Sequence, residues 1–296
     1  MKIDKRDILI GVTVSIFVLM TFIFFKFFSV SSGKILSYPI NMPEKFINLT
    51  TNYGVFYTVR FFLLDFLSFL APFIPLSISL SILAIYGAKF GENKKLGIVS
   101  TTIPIIIGLF FIGFSLTSIL FSFGVIFSGI LSTGFSEMHS KELKKWRNFR
   151  IGSHTVGKCF LIINVLLLFG LFLTSFLSLD YYTDSYKSGT KSMLIGFMPD
   201  MGGDLSQMEG YEELPDEQKQ LIEQQYQEQL NEQKDLMNEK IDSVLNSDKM
   251  TALLYFSILL IPFFVFSILE FLRNLVFSPL AGLITKIGLM EVKKQI

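Results

Sequence analysis

The sequence predicts an all-α membrane protein with about six transmembrane helices, and three observations lead to this fold class. Residues 96–136 contain no charged side chain, and as one straight helix they would reach about 60 Å, twice the thickness of a bilayer's hydrocarbon core. The chain is 51% hydrophobic and contains 33 Phe among 296 residues, more apolar surface than one soluble core of this size can hide. Lysine and arginine are concentrated in alternate loops, as is typical of short cytoplasmic loops.

The first two predicted spans each contain one charged residue. Residues 8–30 are interrupted by Lys26, and residues 61–88 by Asp65. The apolar stretch of the first span is longer than the core of a signal peptide, which has about 7–15 residues, so we predict a retained anchor. Because the first span runs outward and the second runs inward, Lys26 and Asp65 should both lie near the outer boundary. One hypothesis is that they form an intramembrane ion pair, and the alternative is that each side chain extends separately to water.

Residues 96–136 are predicted to form a helical hairpin. We place its reversal within residues 113–118, because Gly and Ser accommodate a tight turn and hydroxyl groups satisfy freed backbone groups. Small residues at a spacing of four, Gly124, Ser128 and Ser132, predict a close helix contact. Five spans plus one re-entrant hairpin is the alternative, because it keeps the same parity of crossings.

Three basic segments determine the predicted orientation. They are the N-terminus, the loop after the second span and residues 137–158. All three lie on one side of the membrane only if the hairpin crosses an even number of times. We therefore predict a multi-pass protein of the cell membrane with both termini in the cytoplasm. Residues 1–179 then form a membrane domain of about five spans, the fifth over residues 159–179.

The basic inner loop, residues 137–158, is predicted to contact the anionic headgroups of membrane lipids. Basic side chains attract these headgroups and Trp lies at their level, although the same surface also suits a cytoplasmic protein partner. Within this loop, residues 142–150 are expected to form an interfacial helix. The predicted contact residues are Lys144, Lys145, Trp146, Arg147, Arg150 and Lys158.

One segment at the end of this loop is similar to a phosphate-binding motif. Residues 152–159 read G-x-x-x-x-G-K-C. Cys159 replaces the Ser or Thr whose hydroxyl binds magnesium, and the preceding loop is too short to supply a parallel sheet. We predict no nucleotide hydrolysis here. A helix N-terminus together with Lys158 is a weaker hypothesis for an anion contact.

Residues 180–249 are predicted to form an acidic extracytoplasmic segment, with 16 acidic and 6 basic side chains. Pro215, followed by two carboxylates, favours a helix start, and we expect a long helix over residues 215–245. Its narrow apolar stripe either pairs with another helix, as in a coiled coil or by self-association, or lies on the protein's own outer loops. The stripe consists of Ile222, Tyr226, Leu230, Met237, Ile241 and Val244.

Residues 250–296 are predicted to contain the last span, over residues 250–269, and an amphipathic C-terminal tail. Glu270 and Arg273 are three residues apart, so we expect a local ion pair at the inner end of the span. The apolar positions expected on one face of the tail are Leu280, Leu283, Ile284 and Ile287.

The sequence contains no catalytic, nucleotide-binding or metal-ligand motif. We therefore predict no enzymatic activity, no catalytic residue, no cofactor or metal site, and no nucleic acid partner. The expected function is that of a subunit or scaffold of a membrane complex, which contacts partners through the outer acidic helix and the inner basic loop. In its topology alone, the chain resembles permease subunits of some ABC exporters. That resemblance implies a transporter subunit as the alternative function.

Overall fold

The computed structural model describes residues 4–143, 145–196 and 215–293, and within these ranges the chain forms eleven α-helices and no strand. The all-α fold class is therefore confirmed. The helices are α1 (Lys5–Phe27), α2 (Ser32–Tyr53), α3 (Val55–Leu70), α4 (Phe73–Phe90), α5 (Lys94–Ile112), α6 (Leu116–Glu142), α7 (Arg147–Leu177), α8 (Leu179–Gly196), α9 (Asp216–Leu245), α10 (Asp248–Leu272) and α11 (Ser278–Lys293).

Six helical segments in the described chain are long and apolar enough to cross a membrane, which is compatible with a multi-pass membrane protein. Two of the six segments each comprise two consecutive helices: one contains α3 and α4, and the other contains α10 and α11. The segments are Lys5–Phe27, Val55–Phe90, Lys94–Ile112, Leu116–Glu142, Arg147–Leu177 and Asp248–Met290.

The long uncharged run is divided into two helices where the sequence predicts a break. Gly113 has φ 87°, a left-handed conformation that glycine adopts without a steric penalty, and it ends α5. Ser115 then caps α6, because its hydroxyl accepts a hydrogen bond from the Ser118 amide at 3.0 Å. The C-terminal half of α6 lies beside the start of α5, where the Asn93 amide donates a hydrogen bond to Thr133 Oγ1 at 3.2 Å. The helices are therefore antiparallel.

The described residues of Met1–Tyr38, Leu49–Ser178 and Leu259–Ile296 belong to one compact unit, here called the bundle. Within it, α1, α5 and α7 run in one direction, whereas α4, α6 and α11 run in the other. Two helix pairs are parallel: α1 with α5, through Ser15–Ser100 and Phe22–Gly108, and α4 with α6, through Phe73–Phe121 and Leu80–Ser132. Three are antiparallel: α1 with α4, through Asp7–Tyr86 and Phe25–Phe73, α6 with α7, through Thr117–Thr174 and Ser128–Cys159, and α7 with α11, through Gly152–Thr285 and Gly157–Ser278.

Small side chains bring the bundle helices into backbone contact. A methyl group built on Gly97 would overlap Gly129 O, and one built on Gly124 would lie 3.0 Å from Ile163 Cα. In the predicted small-residue stripe, Ser128 Oγ donates to the Cys159 carbonyl at 2.9 Å. The predicted close helix contact is confirmed, and hydroxyl to carbonyl hydrogen bonds reinforce it.

The expected interfacial helix over residues 142–150 does not form as a separate element. The helix α6 continues to Glu142, Leu143 is extended, and α7 begins at Arg147. Trp146 has φ 53° and reverses the chain as the residue before α7. Because the turn is so short, the described basic residues of this segment, Lys145, Arg147 and Arg150, lie in the turn and in the first turn of α7.

The C-terminal segment also differs from the sequence-based expectation. A π-helical turn, Arg273–Phe277, joins α10 to α11 without a break. The small side chains of α11 pack inward: Ala281 and Thr285 are fully buried, whereas Leu283 and Ile287 are 52% and 58% exposed. The segment is a packed bundle helix rather than a tail, because its small-residue face allows close approach to α7.

The described residues of Pro39–Asn48 and Leu179–Ile258 belong to a second compact unit, which contains α8, α9 and the start of α10. Lys191 of α8 pairs with Asp242 of α9 at 2.6 Å, and Lys187 donates to Asn246 Oδ1 at 3.1 Å. These contacts attach the C-terminal end of α9 to α8.

Candidate functional site

The most unusual chemical group in the bundle is a charged pair at mid-height. Glu270 Oε1 accepts a hydrogen bond from Asn164 Nδ2 at 2.7 Å. Asn164 follows Ile163, which contacts Gly124 near the middle of the second helix of the uncharged hairpin. Glu270 therefore lies at the mid-level of the bundle, not at the inner end of the last span. The uncharged stretch of sequence ends at residue 269, but α10 continues past it and includes Glu270.

The expected local pair is present at this level. Arg273 Nη2 lies 2.9 Å from Glu270 Oε2, and both side chains are 18% exposed. Arg273 Nη1 also donates to the Gly157 carbonyl at 3.4 Å. Each carboxylate oxygen of Glu270 thus has its own donor, which is what a charge needs when it is removed from water.

Two polar atoms of this cluster have no hydrogen-bond partner in the described part of the chain. They are Asn164 Oδ1 and Arg273 Nε, both fully buried. The adjoining π-helical turn adds one residue to the helix, and its last bond runs from the Ser278 amide to the Arg273 carbonyl. Such turns occur frequently at functional sites. Sequence reasoning missed this site, because Asn164 is 106 positions away from Glu270.

The structure pairs Asp65 with Lys34 instead of Lys26. Lys34 Nζ lies 3.4 Å from Asp65 Oδ1, whereas the Lys26 side chain is exposed. The cause is the reversal at Ser29, whose φ of 52° carries the first turn of α2 back toward α3. Burial, together with the neighbouring Asp65 carboxylate, raises the pKa of Tyr38 to about 12.

We expect Lys34→Ala to lower the free energy of unfolding by at most about 1 kcal/mol, because Lys34 is 42% exposed and solvent screens the pair. Lys26→Ala is the matched control and should have a smaller effect. Thermal unfolding of both variants in the same detergent measures the difference. An equal loss in the two variants would contradict the assigned pairing.

One end of the bundle is basic. The N-terminus of α1, the connection from α4 to α5, the connection from α6 to α7 and the C-terminal end of α11 all meet there, as the helix directions require. Its described basic residues include Lys5, Arg6, Lys89, Lys94, Lys95, Lys141, Lys145, Arg147 and Lys286. Three of them, Arg6, Lys94 and Lys141, form ion pairs with the acidic residues Asp7, Glu92 and Glu137.

The predicted lipid-contact residues that the structure describes lie at or near this basic end. Lys145 and Arg147 are exposed, and Trp146 is 77% exposed. Arg150 is partly buried, with its Nε 3.4 Å from His154 Nε2. Lys144 lies outside the described residues, and Lys158 is exposed, with its Nζ 5.1 Å from the centre of the Phe135 ring.

The G-x-x-x-x-G-K-C segment is helical throughout. It lies inside α7, which begins at Arg147, so Gly152 and Gly157 are more than one turn from the helix start. Backbone amides at these positions are engaged in the helix and do not cradle a phosphate. Gly152 instead contacts Thr285, which gives it a packing role. The proposed anion contact at a helix N-terminus is therefore wrong.

The apolar stripe of α9 is partly covered by the chain itself. Leu230 is 8% exposed, Met237 and Ile241 are half-buried, and Val244 is 61% exposed. Ile222 and Tyr226 are also half-buried. The helix starts at Asp216 and ends at Leu245, close to the predicted bounds. This coverage favours the alternative in which the stripe lies on the protein's own outer segments.

The described residues include no group of three or more His, Cys, Asp or Glu side chains that could hold a metal ion. The two histidine rings lie 5.7 Å apart, and His139 Nδ1 is 3.2 Å from Thr155 Oγ1. Cys159 is fully buried, with its Sγ 3.5 Å from the Ser128 carbonyl oxygen. Comparison with protein-family models, curated proteins and solved structures finds no match to this chain.

Proposed function

We propose that this protein is a non-catalytic subunit or scaffold of a membrane complex, with six helices crossing the cell membrane. One observation carries the proposal. Helices of the bundle pack in glycine-mediated backbone contact, as at Gly97 and Gly129, and the mid-level charges, Glu270 and Arg273, neutralise each other. An interior packed in this way supports a structural role more than the passage of a solute.

The surface of the bundle supports membrane insertion. Large apolar side chains face outward on several helices, for example Ile103 at 55%, Phe110 at 75% and Phe169 at 55% exposure. Water would penalise so much exposed apolar area, whereas lipid covers it without cost. The basic end then faces the cytoplasm, and both termini lie on that side. There, Lys145, Trp146 and Arg147 contact anionic headgroups.

The second unit supplies the proposed partner surface. The helix α9 contains eight acidic and three basic residues among 30, so it is too polar for hydrocarbon and belongs in the extracytoplasmic space. Its apolar stripe is partly covered within the chain, and the helix also has an exposed acidic face that includes Glu228, Glu232 and Glu239. An acidic face of this kind suits a partner with a complementary basic surface.

The test begins with the native particle, extracted from its own membrane in polymer discs, whose mass and composition are measured. We expect a stoichiometric second protein whose retention falls by about tenfold or more in the E228Q/E232Q/E239Q variant. Raising the salt from about 0.05 to about 0.5 M should have the same effect, because the attraction is screened. The matched control is Q225A/Q229A/Q233A, which alters three exposed side chains of the same helix without changing the charge.

Either of two results would overturn the subunit proposal. A particle that contains this chain alone would leave α9 without a partner. A partner lost equally in the glutamate and glutamine variants would show that the charge of α9 is not what binds it.

A transporter subunit is the second candidate, and the mid-level cluster favours it. Ionisable residues inside a membrane often mark the path of an ion or substrate, and Asn164 and Arg273 keep one free acceptor and one free donor. Co-purification of a cytoplasmic ATPase would favour this candidate. Loss of that complex's ATPase stimulation in Asn164→Leu, with the complex intact, would assign the cluster to transport.

A further inference from the structure

The last membrane helix presents a polar side chain on its outward surface at the middle of the bundle. Asn274 lies in the π-helical turn, directly after Arg273, and its side chain is exposed. Its amide makes no hydrogen bond within the described part of the chain. The surrounding surface is apolar, with Phe271 63% and Leu275 62% exposed.

An unpaired amide at this level is unfavourable in lipid. The Asn side chain has two N–H donors and one carbonyl acceptor, and hydrocarbon satisfies none of them. The neighbouring pair of Glu270 and Arg273 is also 18% exposed on each side chain, so a charged edge lies beside the amide. A second helix that supplies a polar group at the same depth would lower the free energy of both the unpaired amide and the exposed edge of the charged pair. Hydrogen bonds between such groups hold transmembrane helices together.

A second copy of the same chain meets this requirement with no additional residue. Two-fold symmetry about an axis along the membrane normal keeps every residue at its own depth, so Asn274 of one copy meets Asn274 of the other. An amide is self-complementary: each can donate one N–H to the carbonyl of the other, forming a reciprocal pair. A single basic or acidic side chain at this position would repel its own copy.

The same face has the shape that a helix contact needs. Ser267, Phe271 and Asn274 follow one another at spacings of four and three, so they line one side of α10 and the π-helical turn. Ser267 is small and exposed, and its hydroxyl already donates to the Phe263 carbonyl at 2.8 Å. It therefore permits close approach of a second helix without requiring a new partner.

We propose that two copies of this chain associate in the membrane through the outward face of α10 and the π-helical turn, with the two Asn274 amides hydrogen-bonded to each other. The proposal rests on the membrane insertion of the bundle and not on the partner of α9. A result that contradicts the dimer can therefore be distinguished from a result that contradicts the binding of a partner by α9.

The first test is cysteine crosslinking in native membranes. The native Cys159 has no exposed surface, so an Asn274→Cys variant presents one accessible thiol. We expect a covalent dimer of this chain on mild oxidation or with a short bis-maleimide. The matched controls are Ile103→Cys and Phe123→Cys, which place exposed thiols on α5 and α6 at comparable levels. They should remain monomeric.

The outcomes separate the possible neighbours of this face. A dimer from position 274 and not from the controls supports the proposal. Equal crosslinking at all three positions reflects random collision and overturns it, as does the absence of any crosslinked product. A covalent adduct of Asn274→Cys with a different protein would assign the face to a heteromeric contact and would also overturn self-association.

The second test uses particle mass and does not depend on thiol chemistry. Asn274→Leu should reduce the dimer fraction in mild detergent by about tenfold. Because Asn274 makes no hydrogen bond within the described chain, the thermal unfolding of the monomeric protein, measured at a concentration where neither variant dimerises, should not change. Asn274→Gln, which keeps the amide, should retain part of the association. Equal dimer fractions in the leucine variant and the wild type would show that the amide does not hold the copies together.

Discussion

Replacing Arg273 by methionine is expected to lower the free energy of unfolding of the bundle by about 3–5 kcal/mol. Methionine approximates the length of the arginine stem but removes the charge. Glu270 would keep its hydrogen bond from Asn164 and lose the cation 2.9 Å from its other oxygen. An unpaired carboxylate in the middle of the bundle is the costly state, because neither water nor another donor replaces the guanidinium.

The double variant Glu270→Gln/Arg273→Met is the decisive comparison. Removal of both charges should recover most of the stability, because the glutamine carbonyl still accepts from Asn164 and no charge is left unpaired. A denaturant titration in one defined detergent measures all three proteins. Lys26→Met, which removes an exposed cation, controls for the change in total charge. If the double variant were less stable than the single one, the pair would not be acting as a neutralised unit.

A valine in place of Gly97 is expected to cost about 3 kcal/mol or more, or to abolish folding. The added atoms would overlap the carbonyl of Gly129, which is backbone and cannot rotate away. The helices α5 and α6 would have to separate, and their contacts with α1 and α4 would be disturbed as well. Detergent-solubilised yield and apparent melting temperature report the effect.

Gly11→Val is the matched control for this prediction. A methyl group built on Gly11 meets one atom, Leu96 Cδ1, at 3.2 Å, and that atom ends a flexible side chain. The same substitution in another membrane helix should therefore cost much less. Similar losses at the two glycines would attribute the effect to helix propensity rather than to the backbone contact.

The sequence was sufficient to locate the uncharged helices and the break at Gly113, because lipid imposes a minimum apolar length and glycine permits the positive φ. The sequence was not sufficient to locate the C-terminal end of the last predicted span. Glu270 and Arg273 resemble the charged edge of a span when read along the chain. They are accommodated inside the bundle because Asn164 and the Gly157 carbonyl, both on α7, supply hydrogen-bond partners.

The packed face of α11 was not identified from the sequence for a related reason. Leu283 and Ile287 were expected on one apolar face of an amphipathic tail and both are exposed, whereas the residues that pack inward are Ala281 and Thr285. In water the apolar side of a helix packs inward, whereas in lipid both sides are apolar and close packing selects small residues. Hydrophobic periodicity therefore does not identify the packed face of such a helix.

Local signals also failed where the partner is distant or the helix is polar. The helix α8, Leu179–Gly196, contains no apolar run and was missed, although contacts with α9 such as Lys191 to Asp242 stabilise it. Asp65 was paired with Lys26 by depth alone, because the left-handed turn at Ser29 that brings Lys34 into range leaves no clear trace in the sequence.

The parallel contact of α1 with α5 imposes an order on biosynthesis. Ser15 donates to the carbonyl of Ser100, 85 positions later in the chain. At about 5–20 residues per second, the ribosome needs on the order of 4–17 s to deliver that acceptor after Ser15 has been made. During this interval the face of α1 that packs against α5 has no partner, and it is covered only after α5 has been made.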